Sequence, residues 1–344
     1  MKATGKAISN AQSGSRKVAI FLPSLHGGGA ERAMLVFARE LLIRGYSVDL
    51  VVAKKEGALV PLVPVGARVV DCQSRRMLHA FPKLAAYLRA NKLAAVYSTI
   101  THANIMAALT CRAIKLRAPL IVRQSNAPLS ESKKGIINDF TRRLIPVMYP
   151  KASSVIAVSE GVRTELISLK PSLSERITVL PTPVLSAEVR HQGEWIPAHP
   201  WFHERHEPVI LSAGRLERHK GMLELVRAFA DVRKARHAKL VILGEGSARS
   251  EVEAEVRRLR LTDDVELLGF QENPFQFMNY ADLFVLNSYY EGLPNVLIQA
   301  MSFGTPIVST DCKSGPSEIL KDGRFGRLIP VGSHESLVTA LVES

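Results

Sequence analysis

The sequence predicts an α/β protein made of two doubly wound domains that face each other across a cleft. Three observations predict it: a strand–turn–helix–strand opening, an alternation of strands and helices that runs to about Leu180, and the restart of that alternation at Val209. The chain has 344 residues, 47% of them hydrophobic, which suffices for two cores of ordinary size.

Lys17–Pro23 (KVAIFLP) is a short apolar run with β-branched residues that ends at the turn Gly27, Gly28, Gly29. From Ala30, Met34, Phe37, Leu41 and Leu42 recur at helical spacing until Gly45 stops the helix. Ser47–Ala53 is again a strand, so the opening is a βαβ unit and the sheet parallel. Further strands are expected at Val69–Asp71, Ala95–Thr99, Leu120–Arg123 and Val155–Val158. The helices between them are expected at Phe81–Asn91, Ala103–Ile114, Ile136–Met148 and Gly161–Ile167. Pro181–Pro208 is rich in proline, histidine and tryptophan without periodicity, and reads as a connection. Beyond it, strands are expected at Val209–Ala213, Lys239–Leu243, Val265–Leu268, Leu283–Leu286 and Pro306–Ser309. Helices follow at Met222–Ala235, Ala248–Arg258, Pro274–Tyr280 and Pro294–Phe303. The expected boundaries are a disordered tail over 1–16, a first domain over 17–183, a linker over 184–208 and a second domain over 209–344.

Composition narrows the function. Cys72, Cys111 and Cys312 are far apart and odd in number, which favours a reducing compartment over a disulfide framework. The polar start MKATGKAISNAQSGSRK has no apolar segment of the kind a secretory signal needs, and no apolar run approaches the ~20 residues of a membrane span. A cytoplasmic protein is expected. The net charge of +13 is uneven: residues 1–185 carry 27 Lys+Arg against 10 Asp+Glu, and residues 186–344 carry 18 against 22. Different partners for the two halves are implied.

The second domain carries the informative residues. Arg215 and Lys220 follow its first strand, beside Gly214, at the strand's carboxyl end where open α/β sheets bind ligands. A planar fork and a compact ammonium there suit a diphosphate. In SYYEGLPN, Glu291 precedes a helix opened by Pro294, whose free N–H groups form an anion site. Gln299, eight residues beyond Glu291, can face the same ligand from within that helix. Taken singly, such residues are as often solvated cations and helix-dipole partners.

Taken together, GRLERHKG (214–221), LVILGEGSARSEVEAEV (240–256), VELLGFQENP (265–274) and ADLFVLNSYYEGLPNVLIQAMSFGTPIVST (281–310) resemble the group 1 retaining glycosyltransferases, glycosyltransferase family 4. The resemblance covers nearly all of 209–320, and FLPSLHGGGAERAM (21–34) extends it into the first half. It implies the GT-B fold, two Rossmann-like domains facing across a cleft, and a hexosyltransferase activity on cell-surface polysaccharide or lipid-linked glycan. By that resemblance Arg215 and Lys220 would bind the donor diphosphate and stabilise it as leaving group, and Glu291 would contact hydroxyls of the donor sugar. The backbone of Gly292, Leu293, Pro294, Asn295 and Val296 would cradle phosphate. Gly244, Glu245, Gly269 and Phe270 would border the base, a UDP-sugar being the favoured donor. Gly28 and Gly29 would let the first domain's loop approach the reacting centre without a Cβ in the way.

The sequence departs from the family at Gln299, where the usual residue is a second glutamate that holds the ribose hydroxyls. An amide loses the charge-assisted bond, at a cost on the order of 1 kcal/mol. A second departure is the end of the chain at Ser344 after one short helical stretch, where the family usually has a last helix crossing back onto the first domain. Some members also carry a histidine after the strand that here ends Arg123, Gln124, Ser125, Asn126; His102 is the nearest substitute, and Arg123 and Asn126 are expected as acceptor contacts. No Asp-x-Asp pattern or His/Cys cluster is present, so neither a metal nor another cofactor is expected. The 131–150 stretch places Ile137, Phe140 or Thr141, Leu144 and Met148 at helical spacing beside Lys133, Lys134, Arg142 and Arg143. That pattern suits an anionic membrane surface and equally an ordinary helix packed on the sheet. With the basic first half, the membrane reading favours a lipid-diphosphate-linked acceptor at the inner face of the cytoplasmic membrane. Nucleic acid lacks any supporting motif. A nicotinamide dehydrogenase is disfavoured because the Gly27–Arg32 turn does not match G-x-G-x-x-G. The alternative within the same fold is a nucleotide-sugar-binding protein with weak or silent catalysis.

Overall fold

The computed structural model describes residues 16–26, 28–128, 136–185, 187–204 and 206–344. Residues 1–15 of the expected tail and the Lys133–Lys134 flank lie outside the described residues; Arg16, assigned to that tail, instead accepts at its carbonyl from the Ser47 N–H at 3.0 Å.

The first domain has seven strands, β1 (Lys17–Leu22), β2 (Ser47–Val52), β3 (Arg68–Asp71), β4 (Ala95–Thr99), β5 (Leu120–Gln124), β6 (Ser154–Ala157) and β7 (Ile177–Val179). They form one sheet in the order β3-β2-β1-β4-β5-β6-β7, every pair parallel. Helices α1 (Gly29–Ile43), α2 (Phe81–Ala90), α3 (Thr101–Ala113), α4 (Ile136–Met148) and α5 (Glu160–Leu169) supply the crossovers. Alternation along β1 explains the layering. Val18, Ile20 and Leu22 enter one core with Met34 and Leu50, while Ala19 and Phe21 enter the other with Leu84, Met106 and Val155. A strand buried on both faces must be apolar throughout, as KVAIFL nearly is.

Two helices occupy the connection: α6 (Ala187–Gly193) and α7 (Pro200–His203). The proline and histidine content concealed them. His199 caps α7, its ring nitrogen accepting from the N–H of Trp201. The second domain holds β8 (Val209–Ala213), α8 (Met222–Ala235), β9 (Lys239–Leu243), α9 (Arg249–Arg258), β10 (Val265–Gly269), α10 (Phe275–Tyr280) and β11 (Leu283–Leu286). It ends with α11 (Asn295–Met301), β12 (Ile307–Thr310), α12 (Pro316–Leu320), β13 (Arg327–Ile329) and α13 (His334–Glu343). Its parallel sheet runs β10-β9-β8-β11-β12-β13. Strands β7 and β13 and helix α12 were not expected from sequence; each is five residues or fewer, too short for a periodic signal.

Strand order reverses between β1 and β4 in one sheet and between β8 and β11 in the other. These are the switch points where doubly wound sheets open a crevice at their strand ends.

The domains meet on two fronts. On one, both terminal nitrogens of Arg32 in α1 donate to the Glu272 carbonyl at 3.1 Å, and its guanidinium lies 5.9 Å from the ring centres of Phe270 and Phe275. On the other, the Glu318 carboxylate of α12 accepts from the N–H groups of Glu160 and Gly161 at 2.9 Å each, capping α5 from the opposite domain. Beside it the Ser159 hydroxyl donates to the Gly292 carbonyl at 2.9 Å, and Lys313 pairs with the buried Glu165 at 3.2 Å.

Candidate active site

The loop after β8 carries Arg215 and Lys220, and the loop after β11 carries Glu291, so the switch point brings them together. Lys220 Nζ lies 2.5 Å from Glu291 Oε1, with the two side chains only 17% and 10% exposed. The Ser288 hydroxyl donates to the same carboxylate oxygen at 2.7 Å, and the Ser314 hydroxyl donates to the Glu291 carbonyl at 2.8 Å. An ion pair this withdrawn from water is worth more than a surface pair, and losing one partner strands the other. Arg215 remains exposed on the same rim.

His219, between the two cations in sequence, stacks on Tyr290 with ring centres 4.5 Å apart and planes 13° from parallel. Burial, and after it the neighbouring Lys220 charge, pushes its imidazole down to about 4, so it is neutral near pH 7. Sequence reading missed this stack because a lone His and a lone Tyr 71 positions apart carry no shared pattern.

Glycines shape the floor. Gly221 has φ +64°, and a side chain there would overlap the Asn287 carbonyl; Gly244, at φ +129°, would overlap the Gly214 carbonyl. These approaches fold the Arg215–Lys220 loop tightly against β9 and β11. Gly292 faces the first domain, where a Cβ would strike the Ser125 carbonyl and the Asn126 backbone. Glu245 pairs with Arg249 at 2.5 Å and lies over Gly269, whose φ is +71°. Phe270 packs against the first domain's core as well as against Arg32.

Pro294 is the residue before α11 rather than in its first turn; its ψ of 92° is extended, and the helix begins at Asn295. Leu293 packs on the first domain's core, Val296 on the second's. Asn295 Nδ2 donates to the Gly29 carbonyl at 3.4 Å, while its Oδ1 is buried with no partner. Gly28 and Gly29 thus lie against the donor-side loop. Gln299 is 8% exposed within α11.

The first-domain candidates separate. Arg123 is 3% exposed, donating to Thr99 at 3.2 Å and to Thr182, and so ties β4, β5 and the connection together. Asn126 sits where the first domain meets Gly292. His102 is open to solvent in the first turn of α3, yet enclosed enough that desolvation lowers its pKa. Of the helix α4 pattern, Leu144 and Met148 pack on the core, Arg142 and Arg143 are exposed, and Val147 is 51% exposed. The side chains of Ile137, Phe140 and Thr141 lie outside the described residues.

The residue that sequence reading overlooked is Glu31 in the first turn of α1. It is 6% exposed, and burial raises its carboxyl pKa, opposed by its own backbone N–H and by the charges of Arg215 and His26. Among the described residues no cluster of three or more His, Cys, Asp and Glu side chains could hold a metal, and no helix is long and apolar enough to cross a membrane. A cavity of about 510 Å³ lined by Arg227, Asp231, Arg233 and His334 lies between α8, α9 and the start of α13, apart from the site.

Two facing doubly wound domains, with paired charges at the second domain's switch point, define a protein of GT-B architecture. Residues 198–343 match the family "Glycosyl transferases group 1", and residues 27–186 match "Glycosyltransferase Family 4". The chain belongs to the group 1 glycosyltransferases. It is 28% identical over 344 aligned positions to the N-acetylgalactosamine-N,N'-diacetylbacillosaminyl-diphospho-undecaprenol 4-alpha-N-acetylgalactosaminyltransferase of Campylobacter jejuni, covering 95% of this chain and 89% of that one. An uncharacterized glycosyltransferase of Methanocaldococcus jannaschii is 33% identical over 198 residues, 57% of this chain and 48% of that one. Among solved structures, the Anabaena protein HepE with UDP and glucose shares the fold at a TM-score of 0.77 and 20% identity, over 95% of this chain and 89% of that one. WaaG, a glycosyltransferase involved in lipopolysaccharide biosynthesis, shares it at 0.74 and 19%, over 95% and 90%.

Proposed function

We propose that this glycosyltransferase moves a sugar from a UDP-sugar to a lipid-diphosphate-linked or polysaccharide acceptor, with retention at the anomeric carbon and without a metal. The observation that carries the reading is the withdrawn Lys220–Glu291 pair with Arg215 beside it. Lys220, where water screens weakly, and the exposed Arg215 on the same loop supply the positive charge that a departing diphosphate requires. Glu291, fixed by Ser288, retains a second oxygen for sugar hydroxyls. The leaving diphosphate, so held, takes the acceptor proton on the face it departs from, and no enzyme nucleophile is needed. The C. jejuni relative, named for a diphospho-undecaprenol acceptor, supports the acceptor class. Exposed Arg142, Arg143 and Val147 on α4 support a peripheral position on an anionic membrane, facing the cytoplasm.

Arg215→Ala and Lys220→Ala are expected to lower turnover by about two to three orders of magnitude with far-ultraviolet dichroism unchanged. Near-normal rates in both would remove the assignment. Activity is expected to persist in EDTA. A catalytically silent binding protein is the second reading, favoured by Gln299, and calorimetric donor binding without product would establish it.

A further inference from the structure

We propose that Glu31 is the acceptor-side contact of the transfer reaction, its carboxylate accepting a hydrogen bond from the attacking hydroxyl. The inference rests on the transferase reading above.

A donor held by Arg215, Lys220 and Glu291 occupies the second domain's wall, so the attacking hydroxyl must arrive from the wall opposite. Two first-domain segments meet that wall, Ser125–Asn126 against Gly292 and the Gly28–Arg32 turn, and of these the turn carries a buried carboxylate. Asn295 reaches the Gly29 carbonyl at 3.4 Å, and Arg32 clasps the Glu272 carbonyl. Glu31 stands between these two contacts. Its carboxylate occupies the space that a side chain at Gly28 would need, so glycine at 28 is what lets the carboxylate take this place. No other side chain among the described residues hydrogen-bonds it, although it is 6% exposed. Its carboxylate accepts from its own backbone N–H, which leaves further lone pairs for a ligand hydroxyl.

The rival groups are less suited. His26 is 60% exposed at its side chain and already pairs with Glu56 at 3.2 Å. His102 is perturbed by desolvation alone, whereas Glu31 feels the charge of Arg215 across the cleft. Arg32, the neighbouring charge, is turned away toward Phe270 and Phe275. Glu31 orients the hydroxyl. As the acceptor oxygen bonds to the anomeric carbon, the bond from that carbon to the diphosphate breaks. Its electron pair leaves on the diphosphate; the hydroxyl proton, held toward Glu31 before bond making, exchanges that hydrogen bond for one to the newly charged diphosphate oxygen and is transferred there, leaving Glu31 ionised.

The test compares wild type with Glu31→Gln and Glu31→Ala, using UDP-glucose, UDP-N-acetylglucosamine and UDP-N-acetylgalactosamine with a polyprenyl-diphosphate-linked N-acetylhexosamine. Glu31→Gln is expected to lower kcat by about 100-fold with donor KM within twofold. The UDP-induced rise in Tm should be unchanged. Wild-type kcat should fall on the acidic side as Glu31 protonates, and that limb should flatten in the variant. Tm at pH 7 should hold or rise in Glu31→Gln, because a neutral amide removes a charge that burial disfavours. A helix-capping role requires the opposite: a lower Tm in both variants with kcat within threefold, which would overturn the proposal. Wild-type turnover with an unaffected Glu31→Gln sinks the Glu31 role alone. No wild-type turnover with any of these donors sinks the proposed UDP-sugar and lipid-diphosphate-acceptor reading and this role together.

Discussion

At the scale of single residues, His219 and Gln299 carry separate tests. His219 has its pKa pushed from 6.5 to about 4, so the folded state binds its proton less readily than the unfolded chain. Its contribution to stability is therefore complete above pH 6.5 and is lost as the pH falls toward 4. His219→Asn is expected to flatten that part of a Tm-against-pH curve, and an unchanged slope would show that the loss originates elsewhere. Gln299 is buried, so Gln299→Glu should lower the Tm of the free protein by placing a charge where water is scarce. The same carboxylate should strengthen the grip on the ribose by on the order of 1 kcal/mol, about a fivefold fall in donor KM. Gln299 was legible as a departure because its place in the motif is fixed by spacing from Glu291. Glu31 was not: a glutamate in a helix's first turn is ordinary, and only its burial beside Gly28 distinguishes it.

At the scale of elements, long periodic segments were readable and short ones were not. Strands β8, β9, β11 and β4 and helices α4 and α8 fall at the residues expected, because each combines a clear period with a glycine, proline or charged boundary. Helices α6 and α7 were hidden by histidines and prolines, although proline opens α7 in its first turn. Partners distant in sequence were equally invisible. Nothing near Ser159 announces that Glu318, 158 residues away from Glu160, will cap α5. Glu318→Ala should cost about 1 kcal/mol, read as a fall in Tm of a few degrees, since Ser159 still caps the helix from within. Gly292→Ala should act differently. A methyl group against the Ser125 carbonyl pushes the domains apart, so activity should fall at least tenfold while each domain's dichroism is retained.

At the scale of the whole molecule, the charge asymmetry bears on the proposed membrane-side position of the first domain. The first half, 27 Lys+Arg against 10 Asp+Glu, is suited to an anionic surface, and the second half, 18 against 22, is not. The protein is expected to co-sediment with phosphatidylglycerol vesicles at low salt and to be released by several hundred millimolar salt, as screening shortens the reach of the surface potential. Binding to phosphatidylcholine vesicles alone of equal strength would count against an electrostatic dock. The two fronts that join the domains bear on timing. Glu318 lends its carboxylate to α5 only while the domains are together, and in the separated state water must take over both N–H groups. With the nucleotide-sugar donor proposed above, spent nucleotide would leave through that separation, and the strength of this borrowed cap would set its residence time. Weakening it should hasten nucleotide exit and raise the turnover number wherever departure, not bond making, is the slow step.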